Sequence, residues 1–362
     1  MDMKNKHLNI FKKIKPINMQ NRYLNIFISI IVCMFLSGII IAIMGEDPVE
    51  AYVQLFRGAF VGNFNLGTTL EKFVPLLLTG LAFIVGSKVG VFNVGVEGEL
   101  YLGAITAAFV GYSLKGMPSA IHIILCFAAA MAVGAAWAFI PAYLKAYFNV
   151  NEVCVTILMN YVAIYITSYL VNYPLSGHTG ISQTPPIEKS ASLFRILKPS
   201  RANIGLFIAI GVCILMYYII KKTKLGFQMR NTGDNPFFAE YVGIRPKKIM
   251  IAGMLLSGAI GGLAGAIEVM GIYGVFLDNF SLNIAGDGML AALIAKGSFA
   301  ALPILSLFIA ALKGGSLGME RYTGVPKSLI DVLIALFILL ATMDTLFNFA
   351  KKRKRKKEGV KE

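Results

Sequence analysis

Ten predominantly apolar stretches set the terms on which this chain can fold: residues 24–44, 68–87, 93–113, 120–143, 153–172, 204–220, 249–272, 287–300, 302–318 and 326–347. Most approach the length of about 20 residues that carries a helix across the hydrocarbon core of a bilayer. Water is absent there, so a crossing segment has to satisfy its own backbone as a helix or close into a barrel. These runs are far longer than barrel strands and do not alternate apolar with polar residues, which leaves helices. Hydrophobic residues make up 57% of the chain and charged ones 15%, against about a quarter charged in a soluble domain. No large soluble domain fits that average. The expected fold is all-α, a polytopic membrane helix bundle.

The formal net charge of +15 is distributed as topology rather than as a nucleic-acid surface. Basic residues crowd Lys4 to Arg22, Lys221 to Lys248 and the tail Lys351 to Lys357, all between or outside the apolar runs. Loops rich in Lys and Arg stay in the cytoplasm, and such a tail also suits anionic lipid heads. Residues 1–23 therefore read as a basic cytoplasmic N-terminus, 24–347 as the transmembrane domain, and 348–362 as a basic cytoplasmic tail. Within the domain, 173–203 is an extracytoplasmic loop and 221–248 a cytoplasmic one. With both termini inside, the number of crossings is even. Splitting 287–318 near Lys296, Gly297 and Pro303 gives about ten helices, some short or broken; eight is the alternative. The first run exceeds a signal-peptide core and lacks a cleavage site, so it reads as a retained helix.

Several chemistries are missing. There is no GxxxxGK[ST] phosphate loop, no GxSxG nucleophile elbow and no HExxH pair. The three histidines are scattered, and the four cysteines lie in apolar runs without a CxxC pair, as buried filler would. Catalytic residues, metal ligands and a cofactor bound by this chain are not expected.

Polar residues at membrane depth are the functional candidates, since a charge there normally faces protein or a wet path. The least ordinary segment, 92–104, places Asn93, Glu97 and Glu99 among Gly95, Gly98 and Gly103. It reads either as a pathway or gate element, or as a cytoplasmic turn followed by a helix whose acidic first turn suits the helix dipole. Asn160 is expected to hydrogen-bond a neighbouring helix. Ser257, Gly261 and Gly265 form a small-residue face for tight packing, with Glu268 left open at its outer end. Asp287 is expected to pair with Lys296 across the proposed break. On the cytoplasmic side, Asp234 is placed to cap a short helix that has Pro236 in its first turn and ends at Gly243. Phe237, Phe238 and Tyr241 would then form an apolar face, to dock in a partner's groove or to lie on lipid.

These segments also carry a resemblance. Gly90–Leu100 (GVFNVGVEGEL) is similar to the FNIGxEGQ element of ABC importer permeases in the ribose/branched-chain amino acid/nucleoside superfamily. Asn151–Tyr161 (NEVCVTILMNY) resembles the HEVxxTIxxNY element of its nucleoside, simple sugar-like branch. Arg230–Ile244 resembles the coupling-helix region, and Gly286-Asp287-Gly288 the later FDGIAVALLG element. The similarity runs from about residue 68 to 345. Glu99 stands where Gln is usual, Asn151 for His, Gly286 for Phe, and Ala295-Lys296-Gly297-Ser298 departs from the small apolar continuation.

The resemblance implies a type II ABC importer-like fold and a permease without an ATPase site of its own. Its partners would be a cytoplasmic ATPase that spends the ATP, a second homologous permease, generally in a heterodimer, and an extracytoplasmic binding lipoprotein that delivers nucleosides. A sugar or amino acid is the alternative cargo, and an ion-coupled secondary transporter the alternative class. The coupling helix would involve Arg230, Asp234, Asn235, Phe237, Phe238, Ala239, Glu240, Tyr241 and Gly243. Asn93, Glu97, Glu99, Asn160, Glu268 and Asp287 are the candidates for the substrate path.

Overall fold

A computed structural model describes residues 19–342 apart from 179 and 282, with side chains over 31–336. The basic segment 1–18 and the tail from 343 onward, with the lipid contact expected of it, lie outside the described residues. Thirteen α-helices are described: α1 Met19–Ile43, α2 Pro48–Phe60, α3 Asn63–Ser87, α4 Val96–Ser113, α5 Ser119–Phe148, α6 Glu152–Asn172, α7 Gly205–Lys222, α8 Lys224–Asp234, α9 Pro236–Tyr241, α10 Pro246–Glu268, α11 Ile284–Ile294, α12 Ala301–Thr323 and α13 Ser328–Thr342. No strand occurs among the described residues, only isolated bridges such as Arg195 to Asn203.

Each of the ten apolar stretches overlaps a helix among the described residues. By length and hydropathy, α3, α5, α6, α7, α12 and α10 with its continuation to Tyr273 each suffice to cross a membrane, while α11 is a short apolar helix. The expected break falls where it was placed. α11 ends at Ile294, and Lys296 (φ 50°) and Gly297 (φ 67°) turn the chain in the left-handed region. The segment beyond differs from the expected half-span, because α12 runs for 23 residues. Pro303 lies in its first turn, where a missing N–H leaves no bond unmade, so it starts the helix rather than interrupting it.

The contacts divide the chain into two units: residues 50–327, and 1–49 with 328–362. In the smaller one α1 packs on α13, and the Cys33 thiol donates to the Leu333 carbonyl at 3.1 Å. In the larger one α10 is the hub, packed on α5, α4 and α3, while α11 and α12 pack on α3 and α6 on α4. Small residues make this possible. The expected face of α10 is confirmed, with Gly261 against Val96 and Glu99 and Gly265 against the backbone of Leu100 and Ala104. A second face, Gly258 and Gly262, meets Ala130 and Gly134 of α5 backbone to backbone. Van der Waals contact between such closely approaching backbones is a main attraction between helices in lipid, where apolar burial gives little.

The 221–248 segment is mostly helical, as α8 and α9. Of the four cysteines, Cys33, Cys126 and Cys213 are buried; Cys154 is exposed on the first turn of α6, unlike the filler role expected of it.

Candidate functional site

The loop between α3 and α4 gathers most of the polar residues singled out above. After Val91 the chain passes through Asn93 into the first turn of α4. The Asn93 Oδ1 accepts from the Gly95 N–H at 3.0 Å, and its amide donates to Glu99 Oε1 and to Ser257 Oγ, both at 2.8 Å. The Ser257 hydroxyl in turn donates to the Ala82 carbonyl at 2.7 Å. One buried amide therefore ties α3, α4 and α10 together. Glu99 Oε2 has no hydrogen-bond partner. Asn160 on α6 holds the same turn from the other side: its Oδ1 accepts from Gly98 N–H at 2.8 Å and its amide donates to Val94 O at 2.9 Å. That is the helix-to-helix role expected of it.

Glu97 points elsewhere, because residues two apart on a helix do not share a face. It accepts from the Ser281 hydroxyl and, at 2.8 Å, from the Ala285 N–H in the first turn of α11. Free N–H groups and the positive end of the helix dipole favour a carboxylate there. The Tyr101 hydroxyl donates to Ser281 O at 3.1 Å and closes the arrangement. Asp287, two residues beyond Ala285, forms an ion pair with Lys313 of α12. Lys313 was not anticipated, although a lone lysine inside an apolar run was the available signal. Glu268 stands apart from this group, buried at the end of α10 where the helix widens into a π turn, Val269–Tyr273. Its Oε1 has no hydrogen-bond partner, and Glu71 and Lys72 of α3 are its charged neighbours.

Two departures from the resembled motifs acquire local reasons. Asn151 caps α6, accepting from Val153 and Cys154 N–H at 3.0 and 3.2 Å. At Gly286 a Cβ would collide with the Asn283 amide.

The stretch 230–244, expected to be cytoplasmic, carries one correction. The cap of α9 is Asn235, not Asp234: Asn235 is extended (φ −157°, ψ 100°) and its Oδ1 accepts from Phe238 N–H at 3.1 Å. Asp234 still belongs to α8, and Pro236 pushes the residue before it out of the helical region. Gly243 ends the helix as expected. Its φ is +81°, its N–H donates to Glu240 O at 3.0 Å, and Ile244 N–H donates to Ala239 O at 2.9 Å, the bond pair of a Schellman motif. Ala239 is buried, while Phe237 and Tyr241 are 85% and 88% exposed. Arg230 donates to the Ile220 carbonyl and fastens α8 to the end of α7. At its own end α8 abuts the α3–α4 loop, where a Cβ on Gly233 would lie 2.5 Å from Lys88 O and 3.0 Å from Gly90 N.

Comparison with known proteins places these features in context. Residues 65–342 match the family described as branched-chain amino acid transport system / permease component. The guanosine ABC transporter permease protein NupP of Bacillus subtilis is 34% identical over 91% of this chain and 96% of its own length. The nucleoside ABC transporter permease protein NupB of Lactococcus lactis is 32% identical, covering 88% and 91%. The glucose ABC transporter permease protein TsgB13 of Haloferax volcanii is 31% identical, covering 88% and 87%. No solved structure gives a significant match. The chain belongs to this permease family, as a multi-pass membrane subunit of an ABC importer.

Proposed function

We propose that this chain carries nucleosides inward, as one half of a permease whose motor and delivery protein are separate subunits. The observation that carries the reading is end-to-end similarity to permeases named for guanosine and for nucleosides. The chain has no phosphate loop, so a separate cytoplasmic ATPase would hydrolyse ATP. It would dock on α9, whose exposed aromatic side chains suit a groove on a partner. In that orientation both termini and the 221–248 segment are cytoplasmic, and 173–203 faces outward toward a binding lipoprotein. The second permease would be a different, homologous subunit.

ATP binding would favour one arrangement of the two permease halves over another, which is all a ligand can do to a conformational equilibrium. Glu97 and Asp287, which link α4, α11 and α12, would border the path. Asn93, Glu99 and Asn160 would hold its wall from behind, with Glu268 near the outer end. Similarity to a glucose permease supports a sugar as the second reading.

Uptake of labelled guanosine, uridine and glucose is compared in cells with and without the gene, in a strain lacking other nucleoside systems. Loss of nucleoside uptake on deletion is expected. Unchanged uptake of every nucleoside would refute the assignment, and loss of glucose uptake alone would establish the second reading.

A further inference from the structure

Three helices end close to one another. α3 closes at Ser87, α8 at Asp234 and α11 at Ile294. The approach of Gly233 to the main chain of Lys88 and Gly90 sets the end of α8 on the end of α3. α11 lies along α3, where a Cβ on Gly80 would be 2.7 Å from Gly288 O. Farther along both chains, a Cβ on Gly297 would be 3.1 Å from Lys88 Nζ and 3.9 Å from its Cε. The two helices therefore run the same way and finish together.

The carbonyl end of a helix carries about half an elementary negative charge, on groups that have no partner within the helix. Such ends repel one another unless a cation lies among them. α11 answers two of its own carbonyls: Lys296 N–H donates to Leu293 O at 2.9 Å and Gly297 N–H to Ala292 O at 3.2 Å. This turn holds Lys296 in the left-handed region, where glycine is usual, and leaves it exposed. Lys88 is half-buried instead, and its side chain reaches from the end of α3 to the turn after α11. Its ammonium is thus the positive charge placed between two helix ends, beside the third. At the opposite end of α11, about 15 Å away at 1.5 Å per residue, the Ala285 N–H meets Glu97 and Asp287 meets Lys313.

We propose that Lys88 is the positioning residue that makes α11 follow α8. Its main chain bears on Gly233, its ammonium holds the carbonyl end of α11, and α11 carries the movement to Glu97 and Asp287. The proposal rests on the reading in which a separate ATPase docks on α9, and goes beyond it by naming the residue through which that motor reaches the path. Because the charge does the holding, methionine, of similar length and uncharged, should fail where arginine succeeds.

The test uses the complete importer, purified with its partner subunits and reconstituted in vesicles, with nucleoside uptake and ATP hydrolysis measured together. Lys88→Met is expected to import at least fivefold less guanosine or uridine per ATP, with hydrolysis within twofold of wild type and the ATPase still co-purifying. Lys88→Arg should keep at least half of the wild-type ratio. Gly297→Asn approaches the same contact from the other side. Asparagine tolerates a left-handed φ, and its side chain would press on the Lys88 ammonium, so the ratio should fall at least threefold. This variant decides the matter if Lys88→Met does not reach the membrane. A wild-type ratio in Lys88→Met or in Gly297→Asn overturns the proposal. Uptake and hydrolysis that fall in step, or a Lys88→Arg as impaired as Lys88→Met, overturn it too. The wild-type importer separates the two ideas: without a co-purifying ATPase or ATP-driven nucleoside uptake the functional reading fails, whereas coupled uptake equal in wild type and Lys88→Met refutes the role of Lys88 alone.

Discussion

One methyl group added to α10 at Gly262 measures how far the bundle depends on helices touching through their backbones. The new Cβ would meet the Ala130 carbonyl group and, at 3.4 Å, the Gly134 Cα, all main chain of α5. Main chain cannot rotate away as a side-chain end can, so the helices have to separate. Alanine gains roughly 1 kcal/mol over glycine in helix propensity, against an overpacking cost of roughly 1–3 kcal/mol. The cost belongs at the upper end here, giving a net loss of about 1–2 kcal/mol. Gly211 on α7 supplies the opposite sign, since a Cβ there meets nothing within 4 Å. Gly211→Ala should therefore gain up to about 1 kcal/mol from propensity alone. The assay is thermal unfolding of the two purified variants in one detergent. Each kcal/mol is worth about 2–4 °C in mid-sized domains, so Gly211→Ala should melt at least roughly 3 °C above Gly262→Ala. Equal melting points, or a Gly262→Ala at or above wild type, would refute the backbone-contact account.

Asn93→Leu removes three hydrogen bonds and leaves the Glu99 carboxylate without its amide donor; at about 1–3 kcal/mol per stranded buried group, unfolding should shift down by several degrees, and an unchanged melting point would contradict the three-helix tie. Removing either Asp287 or Lys313 breaks a largely buried ion pair, at a cost of about 3–5 kcal/mol. The Asp287→Ala, Lys313→Ala double variant should accordingly be less unstable than the sum of the singles, and strict additivity in the double-mutant cycle would deny the coupling. Gly243→Pro forces a φ near −65° on a residue at +81° and deletes the N–H given to Glu240. Import should fall at least tenfold while membrane insertion and ATP hydrolysis persist, and normal import would remove α9 from the coupling role. Replacing Phe237 and Phe238 with glutamate should abolish co-purification of the ATPase, with retention of the ATPase as the contrary result.

Features that repeat along the chain or break a pattern were legible in the sequence. Apolar runs located all ten principal helices, and the charge parity that demanded a break near Lys296 pointed to residues that do turn left-handed. Asn160 and the Ser257, Gly261 and Gly265 face had local patterns to betray them. Partners distant in sequence were not legible. The Asp287 ion pair reaches 26 residues ahead to Lys313, and the Glu97 hydroxyl partner lies 184 residues on. Periodicity says which face of a helix is polar but not which helix comes to meet it. The cap of α9 failed for a smaller reason: Asp234 and Asn235 are both good caps, and only the extent of α8 decides between them.

The meeting of Gly233 with the loop after α3 has a mechanical meaning. Most joints between helices are cushioned by side chains that can rotate and absorb a small displacement. Here the end of α8 bears on Lys88 O and Gly90 N with no side chain between, and three residues further along that loop Asn93 grips α4 and α10. A displacement of α8 and α9 would therefore meet a contact with almost no side-chain play, and the next link in line is Asn93 with its bonds to α4 and α10.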